Sequence, residues 1–415
     1  MNADLLVTGI SQLATARGSE PKFGAAMREL EVIEDASLVV TEGLISWTGR
    51  SCDWSGSAAA TVDVGGRAVV PGLIDPHTHA VWAGDRLADF DERTSGKSYE
   101  HILKSGGGIR STIRATAGAS RGDLVRLAKP RIASLLRSGA TVIEVKSGYG
   151  FSPYAELEIL EAIRSLQRTT SARLLATLLI HVPPSDSAGR SKYLAEVCTE
   201  LIPEVAIRQL ANAVDIFVEE EAWHTNEAEI MLQCAKRHGL AIKLHTEQFQ
   251  RIGGLELGVA MGALSVDHLE ACAPQQLALL ASSKTIATIL PGVSLHLGIP
   301  AAPGRELIDA GAAVAVGTDL NPGSSPMYSA ATALALAVRL NGLTPAEALV
   351  SGTLNAAIAV GLTNAGRLEA GLQADFLVLE GPDWRELTYT LGENPVREVW
   401  VRGKRQDALT NVNQP

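Results

Sequence analysis

Short hydrophobic runs alternate with amphipathic segments through the middle of the chain. Eight runs end at polar residues, and they cover residues 68–74, 141–145, 172–180, 213–218, 241–244, 263–266, 285–290 and 312–316. Stretches such as Arg121–Ser138 and Tyr154–Gln167 lie between them and have the apolar periodicity of helices. Eight alternations of strand and helix over about 250 residues predict a TIM-like (β/α)₈ barrel of the α/β class. A doubly wound sheet is the alternative architecture, but it does not require eight strands that all end in polar groups.

Both ends of the chain show strand-like patterns without helical periodicity. The predicted strands are Leu5–Thr8, Ala36–Val40, Leu44–Thr48, Ala374–Leu379 and Val396–Val401. They predict one small discontinuous β domain, formed by residues 1–66 and 365–415, around a barrel of residues 67–364. Before the last strands, Thr344-Pro345-Ala346-Glu347 has the pattern of a capping box with proline at the first helical position, which predicts a further helix.

Composition and charge narrow the class of protein. The net charge of −10, without a basic cluster, argues against nucleic acid as a partner. No apolar run reaches the roughly 18 residues of a membrane span, and the start Met1–Asp4 lacks the basic region of a secretory signal. The 4 cysteines are scattered without Cys-x-x-Cys spacing, so they are predicted to be reduced thiols. These features predict a cytoplasmic protein with no membrane partner.

Two histidines follow the first of the eight runs, in the segment Asp75-Pro76-His77-Thr78-His79. Residues two apart on an extended chain point to the same side, so His77 and His79 are expected to project together. Two neighbouring imidazoles make half of a divalent-metal site. Taken alone, the pair would more often be two surface histidines, so the other half of the site has to be found downstream.

Polar groups also follow the later runs, at the positions where catalytic groups of a (β/α)₈ barrel gather. These groups are Lys146, His181, Glu219, His245, Gln248, His268 and Asp319. Five of the 9 histidines occupy such positions, a distribution that chance would rarely produce. The combined pattern therefore predicts one active site at this end of the barrel.

Four of these side chains, His77, His79, His245 and Asp319, are the candidates to hold a single divalent metal. Imidazole and carboxylate accept both zinc and iron. An open position for water would make the site catalytic, because such a metal lowers the pKa of its water from about 15.7 toward about 7. Asp319 can take the proton of the water and pass it to a leaving nitrogen. His268 can polarise the substrate carbonyl or orient the attacking water.

The motif Pro71-Gly72-Leu73-Ile74-Asp75-x-His77-x-His79, with later strand-end histidines and a final aspartate, resembles the amidohydrolase superfamily. The resemblance implies a metal-dependent hydrolase with a barrel flanked by a small β domain from both termini. In the two-metal branch of that superfamily, a carboxylated lysine from the fourth strand bridges the ions. The fourth run ends here in Phe217-Val218-Glu219-Glu220 without a lysine, so we predict one metal. Lys146 lies on the second strand and is predicted to form an ion pair.

Within the superfamily, several segments resemble the imidazolonepropionase family. The segments are Gly84–Arg86, Lys104–Ile109, Glu144–Gly150, Lys243–His245, Asp267–Glu270 and Thr318–Ser325. The resemblance implies hydrolysis of the cyclic amide C–N bond of 4-imidazolone-5-propanoate, which gives N-formimidoyl-L-glutamate in histidine degradation. It also implies a homodimer.

The same resemblance implies substrate contacts by residues inside or beside these motifs. These residues are Arg86, Tyr149, His181, Gln248, Asn321, Gly323 and Ser324. The guanidinium fork of Arg86 suits the propanoate carboxylate, and Tyr149, together with Tyr99, adds a hydroxyl. Gln248 can donate to and accept from the edge of the ring. Two features depart from the family, because the segment after His181 is shorter than usual and Gln248 stands where some relatives have glutamate.

Two other functions are open at this point. A purine or pyrimidine deaminase of the same superfamily shares the histidine and aspartate ligands. Such deaminases usually need a glutamate three residues after the fifth-strand histidine, where this chain has Gln248. A non-catalytic amidohydrolase-like binding protein is expected to lack metal ligands, whereas all four candidates are present here.

Overall fold

The computed structural model describes residues 2–97 and 107–406. Tyr99 and residues 104–106 of the Lys104–Ile109 segment lie outside the described residues. Within the described part, the chain begins with four strands of a sheet that both termini build. They are β1 (Asn2–Thr15), β2 (Glu31–Thr41), β3 (Leu44–Arg50) and β4 (Ser57–Pro71). The sequence predicted the first three but only residues 68–71 of β4, since most of the first half of β4 is exposed and lacks an apolar alternation.

Eight parallel strands then form the barrel that the sequence predicted. They are β5 (Leu73–Asp75), β6 (Ala140–Lys146), β7 (Arg173–Ile180), β8 (Ala213–Val218), β9 (Ala241–Thr246), β10 (Ser265–His268), β11 (Ile286–Ile289) and β12 (Val314–Val316). Each strand pairs with its neighbour in chain order. The first and last strands meet beyond their carboxyl ends, where Thr78 and Leu320 form a bridge. The backbone N–H of His79 donates to the carbonyl of Leu320 at 2.9 Å.

Three C-terminal strands return to the first sheet. They are β13 (Phe376–Leu379), β14 (Val396–Val401) and β15 (Lys404–Arg405). The order of the seven strands is β15-β14-β13-β4-β1-β2-β3, and antiparallel pairing of β13 with β4 joins the two ends of the chain. This sheet confirms the predicted discontinuous β domain. Its boundaries stay a prediction, and β4 continues to Pro71, beyond residue 66.

Helices surround the barrel and connect its strands. They are α1 (Leu87–Thr94), α2 (Ile109–Ala117), α3 (Arg121–Arg137), α4 (Pro153–Gln167), α5 (Ser187–Glu196), α6 (Ile202–Ile207), α7 (Thr225–Arg237), α8 (Gly254–Met261), α9 (Pro274–Ala281), α10 (Pro291–Leu297), α11 (Gly304–Ala310), α12 (Ala330–Leu340), α13 (Pro345–Ser351), α14 (Leu354–Ala359) and α15 (Glu386–Tyr389). The predicted capping box is confirmed, because Thr344 Oγ1 accepts from the N–H of Glu347 and Glu347 accepts from the N–H of Thr344. Across residues 2–97 and 107–406, every helix is too short or too polar to cross a membrane.

The prediction of one strand over residues 68–74 was wrong in one respect. The run is divided between the two sheets, with residues 68–71 in β4 and residues 73–75 in β5. Gly72 lies at the division, where its N–H donates to the carbonyl of Asp375 at 2.9 Å. A Cβ at this position would lie 2.3 Å from Thr141 Oγ1, so only glycine lets the chain pass between the sheets here. Hydrophobicity alone does not reveal that the chain leaves one sheet and enters the other within this run.

Apolar packing leaves part of the barrel interior to charged side chains. The largest core joins the strands to the helices outside them, as with Ile143 and Ile159. A second core lies in the terminal sheet, where Phe376 stacks on Trp400 with ring centroids 5.1 Å apart. Lys146 and Lys243, by contrast, are among the largest fully buried side chains. Ionised groups avoid such positions unless they are paired, so both lysines are expected to have charged partners inside the barrel.

The cysteines give a test of the expectation of reduced thiols. All four are free, and Cys52 is exposed. Burial raises the pKa of Cys198 and of Cys272 to about 12. Only the thiolate is alkylated, so iodoacetamide at pH 8 should modify Cys52 at least about 100-fold faster than either of these two. Peptide mass spectrometry over time checks this order, and equal rates would contradict the packing described.

Candidate active site

The loops after the first and the last barrel strand hold each other in place. The N–H of Asp319 donates to the carbonyl of His77 at 3.0 Å. Asp75 accepts from the N–H of Thr318 at 3.0 Å and from its hydroxyl at 2.6 Å. These bonds join residues that are more than 240 positions apart in the chain. They bring the two candidate histidines after β5 and the candidate aspartate after β12 into one site.

The four candidate ligands converge at the centre of this end of the barrel. One ring nitrogen from each of His77, His79 and His245 lies within 4.8 Å of the others. Asp319 Oδ1 lies 3.4 Å from His77 Nε2 and 3.1 Å from His79 Nε2. His77 Nε2 and Asp319 Oδ1 are buried and have no hydrogen-bond partner. Buried acceptors left without partners are expected where a cation completes the site, and three imidazoles with one carboxylate are a donor set that suits a divalent ion.

Each of two of these histidines has a further carboxylate beside its Nδ1 atom, and the one at His77 is within a hydrogen bond. His77 Nδ1 lies 2.7 Å from Asp267 Oδ2, and His245 Nδ1 lies 3.0 Å from Asp215 Oδ2. A proton held on Nδ1 leaves the lone pair of Nε2 for a metal. Burial lowers the pKa of His79 and of His245, so both rings are neutral near pH 7, the form that binds metal.

A buried cluster of charged side chains, which sequence reasoning largely missed, lies beneath these histidines. Its members are Glu144, Lys146, Asp215, Lys243 and Asp267. Lys146 Nζ lies 2.7 Å from Asp215 Oδ2, which confirms the predicted ion pair. Burial alone would lower the pKa of Lys146, but the carboxylates around it raise the pKa above its ordinary value. The signal in the sequence was the presence of charged residues at alternate positions inside apolar strands, as at Glu144 and Lys146.

The turn after β12 surrounds the carboxylate of Asp319. Asn321 Nδ2 donates to Asp319 Oδ2 at 3.0 Å, and Asn321 Oδ1 accepts from the N–H groups of Gly323 and Ser324, both at 2.8 Å. Asp319 itself has φ of +50°. Burial would raise the pKa of Asp319, but the neighbouring imidazoles of His77 and His79 hold it well below its usual range. The carboxylate is therefore ionised and oriented by its own turn.

Two ring side chains border the four candidate metal ligands on one side. The His181 ring stacks on that of His79 with centroids 5.8 Å apart, and the Tyr149 ring lies 5.8 Å from that of His181. Burial lowers the pKa of His181 to about 3, so this ring is neutral. Burial also raises the pKa of Tyr149 above its usual range, so its hydroxyl is protonated and can donate. Both rings offer polar atoms to a ligand beside the histidines.

Arg86 lies close to the turn that follows β12. Its guanidinium is 3.0 Å from the place that a Cβ of residue 323 would occupy, so glycine at that position leaves room for it. The side chain is 11 % exposed and forms an ion pair with Asp89. Asp89 also accepts from the N–H of Gly108 at 2.9 Å, which fixes the carboxylate that holds the arginine. A cationic group thus borders the same site as Asn321.

His268 is the last residue of β10, and Gln248 lies in the loop after β9. The His268 ring is 5.4 Å from that of His245 between centroids, and its Nδ1 is 3.4 Å from Glu270 Oε2. Burial alone would lower the pKa of His268, but Glu270 outweighs it and the pKa is raised. Gln248 is buried, and the loop that follows it is held by Glu219, which accepts from the N–H groups of Phe249 and Gln250. Sequence reasoning did not assign a role to Glu270.

A buried glutamate positions the loop that carries Tyr149. Glu156 accepts from the N–H groups of Gly148 at 2.7 Å, Gly150 at 2.6 Å and Phe151 at 3.2 Å. Glu156→Gln turns an NH₂ group toward these donors, and we expect a loss of about 1–3 kcal/mol in the free energy of unfolding. Thermal denaturation measures the effect, with Glu158→Gln on the more exposed side of the same helix as control. Equal stability of the two variants would contradict this role.

Comparisons with known proteins identify the family to which this chain is similar. The profile of the amidohydrolase family matches residues 68–405. An imidazolonepropionase of Deinococcus radiodurans is 59 % identical over 401 residues, which cover 97 % of this chain and 99 % of the relative. An imidazolonepropionase of Rubrobacter xylanophilus is 42 % identical, with 96 % of this chain and 97 % of the relative covered.

Solved structures give the same fold at lower identity. A crystal structure of an adenosine deaminase from Xanthomonas campestris with bound zinc has a TM-score of 0.71 and 19 % identity, and the match covers 97 % of this chain and 93 % of that one. A triazine hydrolase variant has a TM-score of 0.72 and 18 % identity, with coverage of 97 % and 94 %. These structures support the fold alone. The full-length relatives confirm the finer resemblance seen in the sequence, so this chain belongs to the imidazolonepropionases of the amidohydrolase family.

Proposed function

We propose that this chain hydrolyses the cyclic amide C–N bond of 4-imidazolone-5-propanoate at a site with one divalent ion, zinc or iron, held by four side chains. These side chains are His77, His79, His245 and Asp319. The observation that carries the proposal is their convergence, with Asp319 Oδ1 within 3.4 Å of two imidazole nitrogens and without a hydrogen-bond partner. A divalent ion at this place supplies what the side chains lack, the acidification of water near neutral pH.

Asp319 is proposed to carry the proton of the reaction. Water adds to the carbonyl carbon of the ring, the C–N bond breaks, and the ring nitrogen receives a proton. The low pKa of the Asp319 carboxylate keeps it ionised and able to accept a hydrogen bond from water. Asn321 holds Oδ2, which leaves Oδ1 free to face the reacting groups.

His268 and Gln248 are proposed to act on the substrate rather than on the metal. The raised pKa of His268 favours the protonated ring, which can donate a hydrogen bond to the carbonyl oxygen as negative charge develops there. Gln248 has no titratable group, so its proposed role is to orient the ring by donating and accepting hydrogen bonds.

The remaining contacts are proposed to bind the two ends of the substrate. Arg86 pairs with the propanoate carboxylate, which suits its largely buried guanidinium fork. The other proposed contacts are Tyr149, His181, Asn321, Gly323 and Ser324. The neutral His181 ring and the protonated Tyr149 hydroxyl provide hydrogen bonds without an additional charge.

The test measures turnover and metal together. The purified protein is expected to consume imidazolonepropanoate, followed by the loss of its absorbance, with about one equivalent of zinc or iron per chain. A chelator should abolish turnover, and either metal should restore it. Release of ammonia from cytosine, guanine or adenosine, without turnover of imidazolonepropanoate, would contradict the proposal and favour a deaminase. A metal-free, stable and inactive protein would favour a binding function.

We further propose a cytoplasmic homodimer. Family membership supports the dimer, and the free, widely spaced cysteines support a reducing compartment. Sedimentation at several protein concentrations and fractionation of cells test the two statements separately.

A further inference from the structure

Two of the histidines proposed above as metal ligands each end a chain of three side chains that begins at a buried lysine. The two chains are Lys243–Asp267–His77 and Lys146–Asp215–His245, here termed the lysine relays. We propose that Lys243 and Lys146 are positioning residues that set the affinity of the site for its divalent ion, each acting chiefly through one carboxylate on one histidine. The proposal rests on the metal ligands proposed above.

The first relay fixes both the side chain and the backbone of its histidine. Asp267 Oδ2 lies 2.7 Å from His77 Nδ1 and 3.5 Å from Lys243 Nζ. The other carboxylate oxygen, Oδ1, accepts from the hydroxyl of Ser265 at 2.5 Å. Lys243 Nζ also donates to the carbonyl of Pro76 at 2.9 Å, directly before His77. The lysine therefore holds the two groups that determine where His77 Nε2 points.

The second relay has shorter contacts between its charged groups. Asp215 Oδ2 lies 2.7 Å from Lys146 Nζ and 3.0 Å from His245 Nδ1. The other carboxylate oxygen, Oδ1, accepts from the backbone N–H of His245 at 3.1 Å. The ammonium of Lys146 thus balances a carboxylate that contacts both the ring and the backbone of one proposed metal ligand.

The two relays meet at Glu144. Its Oε2 lies 2.8 Å from Lys146 Nζ and 2.9 Å from Lys243 Nζ, and its Oε1 accepts from the hydroxyl of Thr177 at 2.5 Å. Lys146 Nζ also lies 3.7 Å from Asp267 Oδ2, so the relays are not fully separate.

All five charged side chains are at most 2 % exposed, and two ammonium groups face three carboxylates. A carboxylate that lost its lysine would be a buried charge without compensation and would rearrange. The rearrangement releases the imidazole that the carboxylate contacts.

The test measures the dissociation constant for zinc, by transfer of zinc from the holoenzyme to a chelating dye. K243M and K146M are each expected to weaken zinc binding by about 10–100-fold. The pair K243M/D267N should bind zinc less than 10-fold more weakly than D267N does, because the lysine acts chiefly through that carboxylate and otherwise only through the carbonyl of Pro76. K236M, at an exposed lysine on α7, is the matched control and should leave the constant unchanged. An unchanged constant in K243M, or losses that multiply in the pair, would overturn the proposal.

Folding is checked on the metal-free form of each variant by its melting temperature. The pair K243M/D267N removes both charges, so it folds even where K243M leaves too much uncompensated charge to fold. The zinc dissociation constants of D267N and of the pair then suffice for the test, since a difference of 10-fold or more would refute the relay.

The variant H245A distinguishes a failure of the relay from a failure of the proposed set of metal ligands. If H245A binds zinc normally, the ligands are wrongly assigned. If H245A loses zinc while K146M keeps it, only the relay is wrong.

Discussion

Replacing Asp319 by asparagine is expected to lower kcat/KM by about 1,000-fold or more. Asparagine keeps the shape of the side chain, but it removes a ligand charge and the group proposed to accept the proton of water. The low pKa of Asp319 means that the lost group is a carboxylate over the whole range in which the enzyme would be assayed. Steady-state turnover of imidazolonepropanoate, with metal content of the same samples, measures the effect.

The metal content then identifies which role of Asp319 dominates. Loss of both metal and turnover indicates that its charge is needed to hold the ion, and loss of turnover alone indicates proton transfer. The matched control is Asp309→Asn, because the side chain of Asp309 on α11 is 64 % exposed and pairs only with Arg305 in the contacts described. Turnover by Asp319→Asn within about 10-fold of the unsubstituted enzyme would remove this residue from the proposed mechanism.

Replacing Arg86 by methionine is expected to lower kcat/KM by about 100-fold, mainly through a higher KM. Truncating one partner of a buried charge pair costs about 2–5 kcal/mol, and here the carboxylate of the substrate would lose its cation. Asp89 would lose its partner as well, which further repels an anionic substrate. The steady-state constants of Arg86→Met are compared with those of Arg110→Met, a substitution of an exposed arginine on α2. This comparison separates the loss of the substrate contact from a general change in charge.

A substrate analogue gives the stricter form of the same experiment. An imidazolone with a methyl group in place of the propanoate arm should react about 100-fold less efficiently with the unsubstituted enzyme. Arg86→Met should discriminate little between the two compounds, because the group that recognises the carboxylate is gone. If the variant still prefers the carboxylate as strongly as the unsubstituted enzyme does, another cation binds the propanoate arm.

Part of the fold followed from periodicity alone. Eight apolar runs that end in polar residues predicted the barrel, since strands buried on both faces read as continuous hydrophobic segments. The same spacing placed His77 and Asp319 at the ends of strands that a closed barrel brings together. Residue 72 shows the limit of this reasoning, because the run over residues 68–74 is uniformly apolar although it serves two sheets.

The sequence by itself determined the kind of fold, the end of the barrel that carries the chemistry and the types of side chain that gather there. Only the tertiary structure decided which carboxylate orients which histidine. Asp267 reaches His77 across 190 residues, and Lys243 reaches Glu144 across 99. Such pairings depend on the register of neighbouring strands and on where each side chain enters the barrel, and neither quantity is encoded in local hydrophobic spacing.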